Sequence, residues 1–174
     1  MKTVKLEVKQ EVNESGQLTS EEYLLNDKYH NAHGLAFREW NESGVLVREE
    51  YWLNGNLHNE HGSAIRKWDD SGQLIVESHW LNGKRHNEHG PAVQEWNDSG
   101  QLIVESHWLN GKKHNENGPA FREWNDSGVL VSEEYWLNGE YFTKEEWERR
   151  VNPDSCVGKV VTVDGKQYRL GAVE

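Results

Sequence analysis

The chain has 174 residues, 34% of them hydrophobic, and 30 Asp and Glu against 19 Lys and Arg give a formal net charge of −11. That balance excludes the basic face of a conventional sequence-independent nucleic-acid binder, and a lone cysteine, Cys156, excludes an intrachain disulfide framework. No stretch approaches the roughly 20 apolar residues of a membrane span, and MKTVKLEVKQEV lacks the continuous apolar core of a signal peptide, so the expected location is the cytoplasm.

An internal repeat organises the chain. Tyr/His-Trp-Leu-Asn-Gly begins at Tyr51, His79, His107 and Tyr135, with a worn copy, YLLND, at Tyr23, and every step is 28 residues. Segment 73–100 differs from 101–128 only at Arg85/Lys113, His89/Asn117, Val93/Phe121 and Gln94/Arg122. The expected organisation is five tandem units within 1–139, about 8–35, 36–63, 64–91, 92–119 and 120–147, the last diverging after 139, and a cap over 140–174.

Each unit opens with a short strand, VKQEV at 8–12 and then 36–40, 64–68, 92–96 and 120–124. A turn of the form Asn/Asp-Glu/Asp-Ser-Gly follows, where the Asn or Asp side chain bonds the backbone ahead and the glycine takes positive φ. A longer strand, such as QLIVESHWL, closes on Asn-Gly at Asn54, Asn82, Asn110 and Asn138, the strongest short hairpin signal. A loop of the form K-x-H-N-E-H-G-P then leads to the next unit. Glycine turns recur too often for ordinary helices. The fold class read from this pattern is all-β, a single-layer antiparallel β-meander of hairpin repeats with a short C-terminal helix and a β-hairpin.

Alternation along the long strand separates two faces. One carries Leu46, Leu74, Leu102 and Leu130 with a structural ladder of Trp52, Trp80, Trp108 and Trp136. The other carries Glu49 and Tyr51, Glu77 and His79, Glu105 and His107, Glu133 and Tyr135, with Leu53 and its equivalents. That acidic and apolar stripe is the expected partner-binding surface, since a single layer leaves both faces open and a stripe of this size meets something. Ten strands at the usual spacing make a ribbon about 45–50 Å long.

After Gly139 the repeat breaks. Thr143 and Glu146 have capping-box spacing, which predicts a short helix whose Trp147 packs on the last hairpin and which ends at Asn152-Pro153. KVVTVDGKQYRL predicts a hairpin around Asp164-Gly165. Both are expected to cover the final unit, because terminal repeats need a closed end.

The pattern W-x-N-G-x-x-H-x-x-x-G-P-A, carried by Trp80, Asn82, Gly83, His86, Gly90, Pro91 and Ala92 and again by Trp108, Asn110, Gly111, His114, Gly118, Pro119 and Ala120, resembles the MORN repeat family over about residues 8–139. The tail looks like the ending of tailed-phage proteins that carry such repeats. The resemblance implies a single-layer antiparallel sheet that binds proteins or lipids, with no catalytic residue to carry over. The family's glycine and aromatic spacing is shorter than 28 residues, so this chain resembles a divergent variant.

His30/His33, His58/His61 and His86/His89 form H-x-x-H pairs, with Glu60 and Glu88 inside the last two. His58, His61, His86 and His89 are therefore weak metal candidates; adjacent loops about 9.5 Å apart are too distant to share an ion bound at about 2 Å, and Asn117 replaces a histidine in the fourth loop. Carboxylate pairs such as Glu49-Glu50 recur in every unit, whereas catalysis needs one asymmetric constellation. No cofactor, no catalytic residue and no enzyme activity are expected. The leading expectation is a protein-interaction module, phage- or prophage-encoded, acting in the host cytoplasm. It would inhibit a basic nucleic-acid-handling defence protein, a CRISPR-type complex or nuclease, by acidic mimicry of nucleic acid. Alternatives are a self-associating structural protein, an antitoxin or immunity protein, and a carbohydrate binder. Direct nucleic-acid and membrane binding are not expected.

Overall fold

The computed structural model describes residues 6–153 and 160–171. The first unit comprises β1 (Leu6–Val12), β2 (Leu18–Leu25) and the two-residue β3 (Lys28–Tyr29). The second comprises β4 (Phe37–Trp40), β5 (Leu46–Glu50), β6 (Trp52–Leu53) and β7 (Asn56–Leu57). The third has β8 (Ile65–Trp68), β9 (Leu74–Ser78), β10 (Trp80–Leu81) and β11 (Lys84–Arg85). The fourth has β12 (Val93–Trp96), β13 (Leu102–Ser106), β14 (Trp108–Leu109) and β15 (Lys112–Lys113), and the fifth has β16 (Phe121–Trp124), β17 (Leu130–Leu137) and β18 (Glu140–Phe142).

The main sheet runs β1-β2-β4-β5-β8-β9-β12-β13-β16-β17, every neighbour antiparallel, so the array is the expected meander. The turns follow the sequence reading. In the second unit Asn41 Oδ1 accepts the N–H groups of Ser43 at 3.0 Å and Val45 at 2.9 Å. Asn54 and Gly55 have φ of 52° and 79°, the paired positive values of a tight hairpin turn whose twist matches its strands.

Two features depart from the expected long strand. It is continuous only in β2 and β17; elsewhere it breaks at Tyr51, His79 and His107. At Tyr51 the N–H donates to Ala64 O, in the next unit's short strand, while its C=O accepts from His58 N, in its own returning arm. The pairing partner changes at that residue, so a separate small hairpin begins there, and the first residues of the expected loop are its second arm. The other departure is a one-residue register shift before Trp40, Trp68, Trp96 and Trp124, which sets Leu46 opposite Trp40. A shift of this kind interrupts alternation, so the Leu46 series does not simply continue the Trp52 face.

Successive small hairpins are bonded to one another. Asn59 N donates to Trp80 O at 3.0 Å and Gly83 N to Leu57 O at 2.9 Å, and the pattern recurs one unit on. Being one layer, the ribbon buries little. Its tightest points are Ala36, Ala64, Ala92 and Ala120, each 0% exposed where a short strand enters between two long ones.

The helix α1 (Lys144–Val151) has the expected capping box: Glu146 N donates to Thr143 Oγ1, and Thr143 N to Glu146 Oε2 at 3.0 Å. Trp147 packs with Tyr135 and Phe142 in the array's aromatic cluster. The expected terminal hairpin is β19 (Val160–Val163) with β20 (Lys166–Arg169), a sheet of its own that pairs with no strand of the array among the described residues. Cys156 lies outside the described residues. No helix is long and apolar enough to cross a membrane.

Candidate functional site: a row of grooves along the loop border

The glutamates read as a partner-binding file sit in a ladder where they alternate with arginine or glutamine. Cross-strand pairing places Gln10, Glu21, Arg38, Glu49, Arg66, Glu77, Gln94, Glu105, Arg122 and Glu133 in consecutive order across the sheet. Arg66 bridges Glu49 and Glu77, both at 3.1 Å, Arg122 holds Glu105 at 2.6 Å, and Lys144 lies 4.0 Å from Glu133. Burial by itself raises the Glu77 carboxyl, but hydrogen bonding and the Arg66 charge outweigh it and hold the group below its ordinary value. These carboxylates are largely neutralised within the sheet. The arginines were visible as the second residue of FREW and IRKW, and alternation alone gave no reason to pair them with the glutamates.

Among the described residues, two rows of carboxylates without a Lys or Arg partner line the long borders of the ribbon. Glu42, Asp70, Asp98 and Asp126 are exposed at the Gly-ended turns. Glu60, Glu88 and Glu116, with side chains 68%, 67% and 70% exposed, stand on the loops at the other border.

Between those loops lie three equivalent open grooves of about 590, 470 and 470 Å³. Tyr51 with Leu53, His79 with Leu81, and His107 with Leu109 line them in turn, and successive loops form the walls. Asparagine holds each loop in shape: Asn59 Oδ1 accepts from His61 N at 3.0 Å and Asn59 Nδ2 donates to Ser63 O at 2.8 Å, with the same pair of bonds at Asn31, Asn87 and Asn115. Three expected site residues, Tyr51, His79 and His107, therefore come together with leucines and loop glutamates. Burial pushes the His79 and His107 imidazoles below their ordinary value despite the neighbouring glutamates. Sequence reading considered Glu60 and Glu88 only as metal ligands and did not single out Glu116; the 28-residue recurrence of the loop was the signal that each is one border of a repeated groove.

The fourth position in the row is already filled. Tyr135 and Leu137 lie under α1, the Trp147 ring centroid is 5.3 Å from that of Tyr135, and Trp147 Nε1 donates to Asn115 O at 2.9 Å. Tyr135 is consequently buried and unavailable to a partner. Burial, with the hydrogen bond from its hydroxyl to Glu133, pushes its phenol up to about 12.

Of the four weak metal candidates, His58 and His86 serve the hairpins, and His61 and His89 line the grooves. His58 and His86 accept backbone N–H groups at Nδ1, and among the described residues no three metal-ligating side chains come together. On the opposite face Trp52, Trp80, Trp108 and Trp136 donate through Nε1 to Glu50, Ser78, Ser106 and Glu134, at 2.7–2.8 Å. Cations interleave the ladder. Arg85 lies between Trp80 and Trp108, and Lys113 lies 5.0 Å from the Trp136 ring centre.

Comparison of the chain with protein-family models, curated proteins and solved structures gives no match. The MORN resemblance rests on the repeat residues themselves.

Proposed function

We propose that this chain is a non-enzymatic module that binds a basic protein along its loop border. The observation that carries this reading is the row of three equivalent open grooves, each flanked by exposed glutamate. Repetition of one surface at a fixed step suits an extended interface; catalysis needs a single asymmetric site. A net charge of −11 adds long-range attraction for a basic partner. In its narrower form, the partner is a host nucleic-acid-handling protein, such as a defence nuclease or CRISPR-type complex, whose basic cleft the carboxylate rows occupy. Because Arg66 and Arg122 neutralise the glutamate ladder, any mimicry of nucleic acid falls to the two border rows. Affinity capture from bacterial lysate, with salt and DNA as competitors, tests the proposal. A basic partner released by both supports it. A partner that stays bound in 1 M salt and with Glu60, Glu88 and Glu116 changed to Gln overturns it.

Self-association has its own supporting observation. Among the described residues, β1 and the 130–134 segment of β17 have no strand on their outer sides, and Val8, Val129, Leu130 and Val131 are exposed there. A second copy's β1 placed against β17 in the register of the internal junctions sets Gln10 against Glu133, just as Gln94 faces Glu77, and Lys9 against Glu134. Such a head-to-tail contact grows into rings or filaments. Sedimentation mass that rises with concentration and collapses in Lys9→Glu favours it; a constant monomer mass rules it out.

A further inference from the structure

We infer that each of the three open grooves takes an aromatic side chain of the partner, flanked by lysine or arginine. The inference deepens the proposed function and rests on the partner being a protein. The fourth member of the row supplies the template. Its near wall is the 115–118 loop, which matches the 87–90 wall of the third groove except for Asn117 in place of His89, and Tyr135 and Leu137 stand where His107 and Leu109 stand. Into that space the chain inserts its own Trp147, which is 7% exposed, packs against Tyr135 with the rings tilted by 50° and donates its indole N–H to the Asn115 carbonyl.

The corresponding carbonyls of Asn31, Asn59 and Asn87 accept no hydrogen bond from the described residues. Each open groove thus repeats the acceptor, the leucine and a flat ring or imidazole, and lacks the indole. An indole or phenol offers the large apolar area and single donor that such a site satisfies. Arg66 and Arg122 also line the first and third grooves but are paired with the ladder glutamates, so the flanking charge follows from Glu60, Glu88 and Glu116, which are exposed beside the grooves with no Lys or Arg partner among the described residues. In the chain's own helix Trp147 sits between Glu146 and Glu148 and is followed by Arg149 and Arg150, and the Arg150 guanidinium lies 4.4 Å from the Phe142 ring centre.

The test uses the full chain and a synthetic peptide copying residues 143–152 with Glu145→Lys and Glu148→Lys, titrated by backbone and indole NMR. The expected result is saturable shifts at the amides of Leu53, Leu81 and Leu109, weakened about ten-fold when the peptide carries Trp147→Ala. Equal shifts from both peptides mean charge attraction alone and overturn the inference. So do shifts confined to the Trp80 face, shifts confined to the Trp147 indole through displacement of α1, or no shifts at millimolar peptide. Because the titration needs no natural partner, its failure beside a successful capture experiment would sink the aromatic groove and leave the basic-partner proposal standing.

Discussion

His86 Nδ1 accepts the backbone N–H of Asn110, 24 residues further along the chain, at 3.1 Å. The same bond joins His30 to Asn54, His58 to Asn82 and His114 to Asn138, at 3.0–3.2 Å. Each therefore pins the turn of one small hairpin to the hairpin before it. Coupling of this kind, unit to adjacent unit, is what stabilises an array that has almost no core.

His86→Ala removes that acceptor and leaves the Asn110 N–H at an exposed turn, where water replaces the bond in part. The expected loss is about 1 kcal/mol of unfolding free energy. Urea denaturation followed by tryptophan fluorescence checks it. An unchanged midpoint would show that the histidine contributes nothing to coupling between units.

Acid should weaken the array through His79 and His107, whose folded-state pKa values lie below the ordinary 6.5 because burial disfavours the imidazolium. The unfolded chain then binds protons first as pH falls through 6.5, so stability declines below that value and is unaffected by these groups above it. Tyr51 and Tyr135 occupy the equivalent positions, which makes His79→Tyr with His107→Tyr a conservative comparison. Melting temperature measured from pH 7.5 to pH 5 should fall less steeply in the double variant. Parallel curves would remove these two histidines as the cause.

The repeat period, both turn types, the capping box and the meander were legible because each depends on local backbone chemistry repeated at fixed spacing. Asn54-Gly55 needs only its own two residues to make a tight turn, and Thr143 with Glu146 needs only one helical turn. Features that depend on pairing between units were not legible. Arg66 pairs with Glu49 and Glu77 only once the register of three strands is known. The break at Tyr51 has no local signal, since the same residue type continues a strand at Tyr135. The grooves likewise arise between units, so their walls come from loops 28 residues apart, and the filling of the last one depends on where α1 places Trp147.

Arg85 lies between the rings of Trp80 and Trp108, 5.3 and 5.2 Å from their centres. Two half-buried cation–π contacts are together worth about 1–2 kcal/mol. Arg85→Ala should cost that much and change the tryptophan emission. Arg85→Lys should retain most of the stability, since Lys113 holds the equivalent place one unit on. A larger loss in the lysine variant than in the alanine variant would contradict the stacked-cation account.

Ala92 gives the sharpest test of how tightly units join. Its N–H donates to Ser106 O and its C=O accepts from His79 N, so the backbone is held from both long strands at once. Its methyl group is 0% exposed, leaving no room for growth without moving one of those strands. Ala92→Val adds two carbons where the ladder allows little shift, and overpacking of this kind costs about 1–3 kcal/mol. The first unit carries valine at the matching position, Val8, which is 49% exposed because no long strand lies on its outer side among the described residues. Val8→Ala should accordingly change stability by less than about 0.5 kcal/mol. Chemical denaturation of the two variants side by side compares the same pair of residue types at a closed junction and at an open edge. A neutral Ala92→Val would mean that the junctions have slack, and that stability resides in the hairpin bonds and the tryptophan ladder.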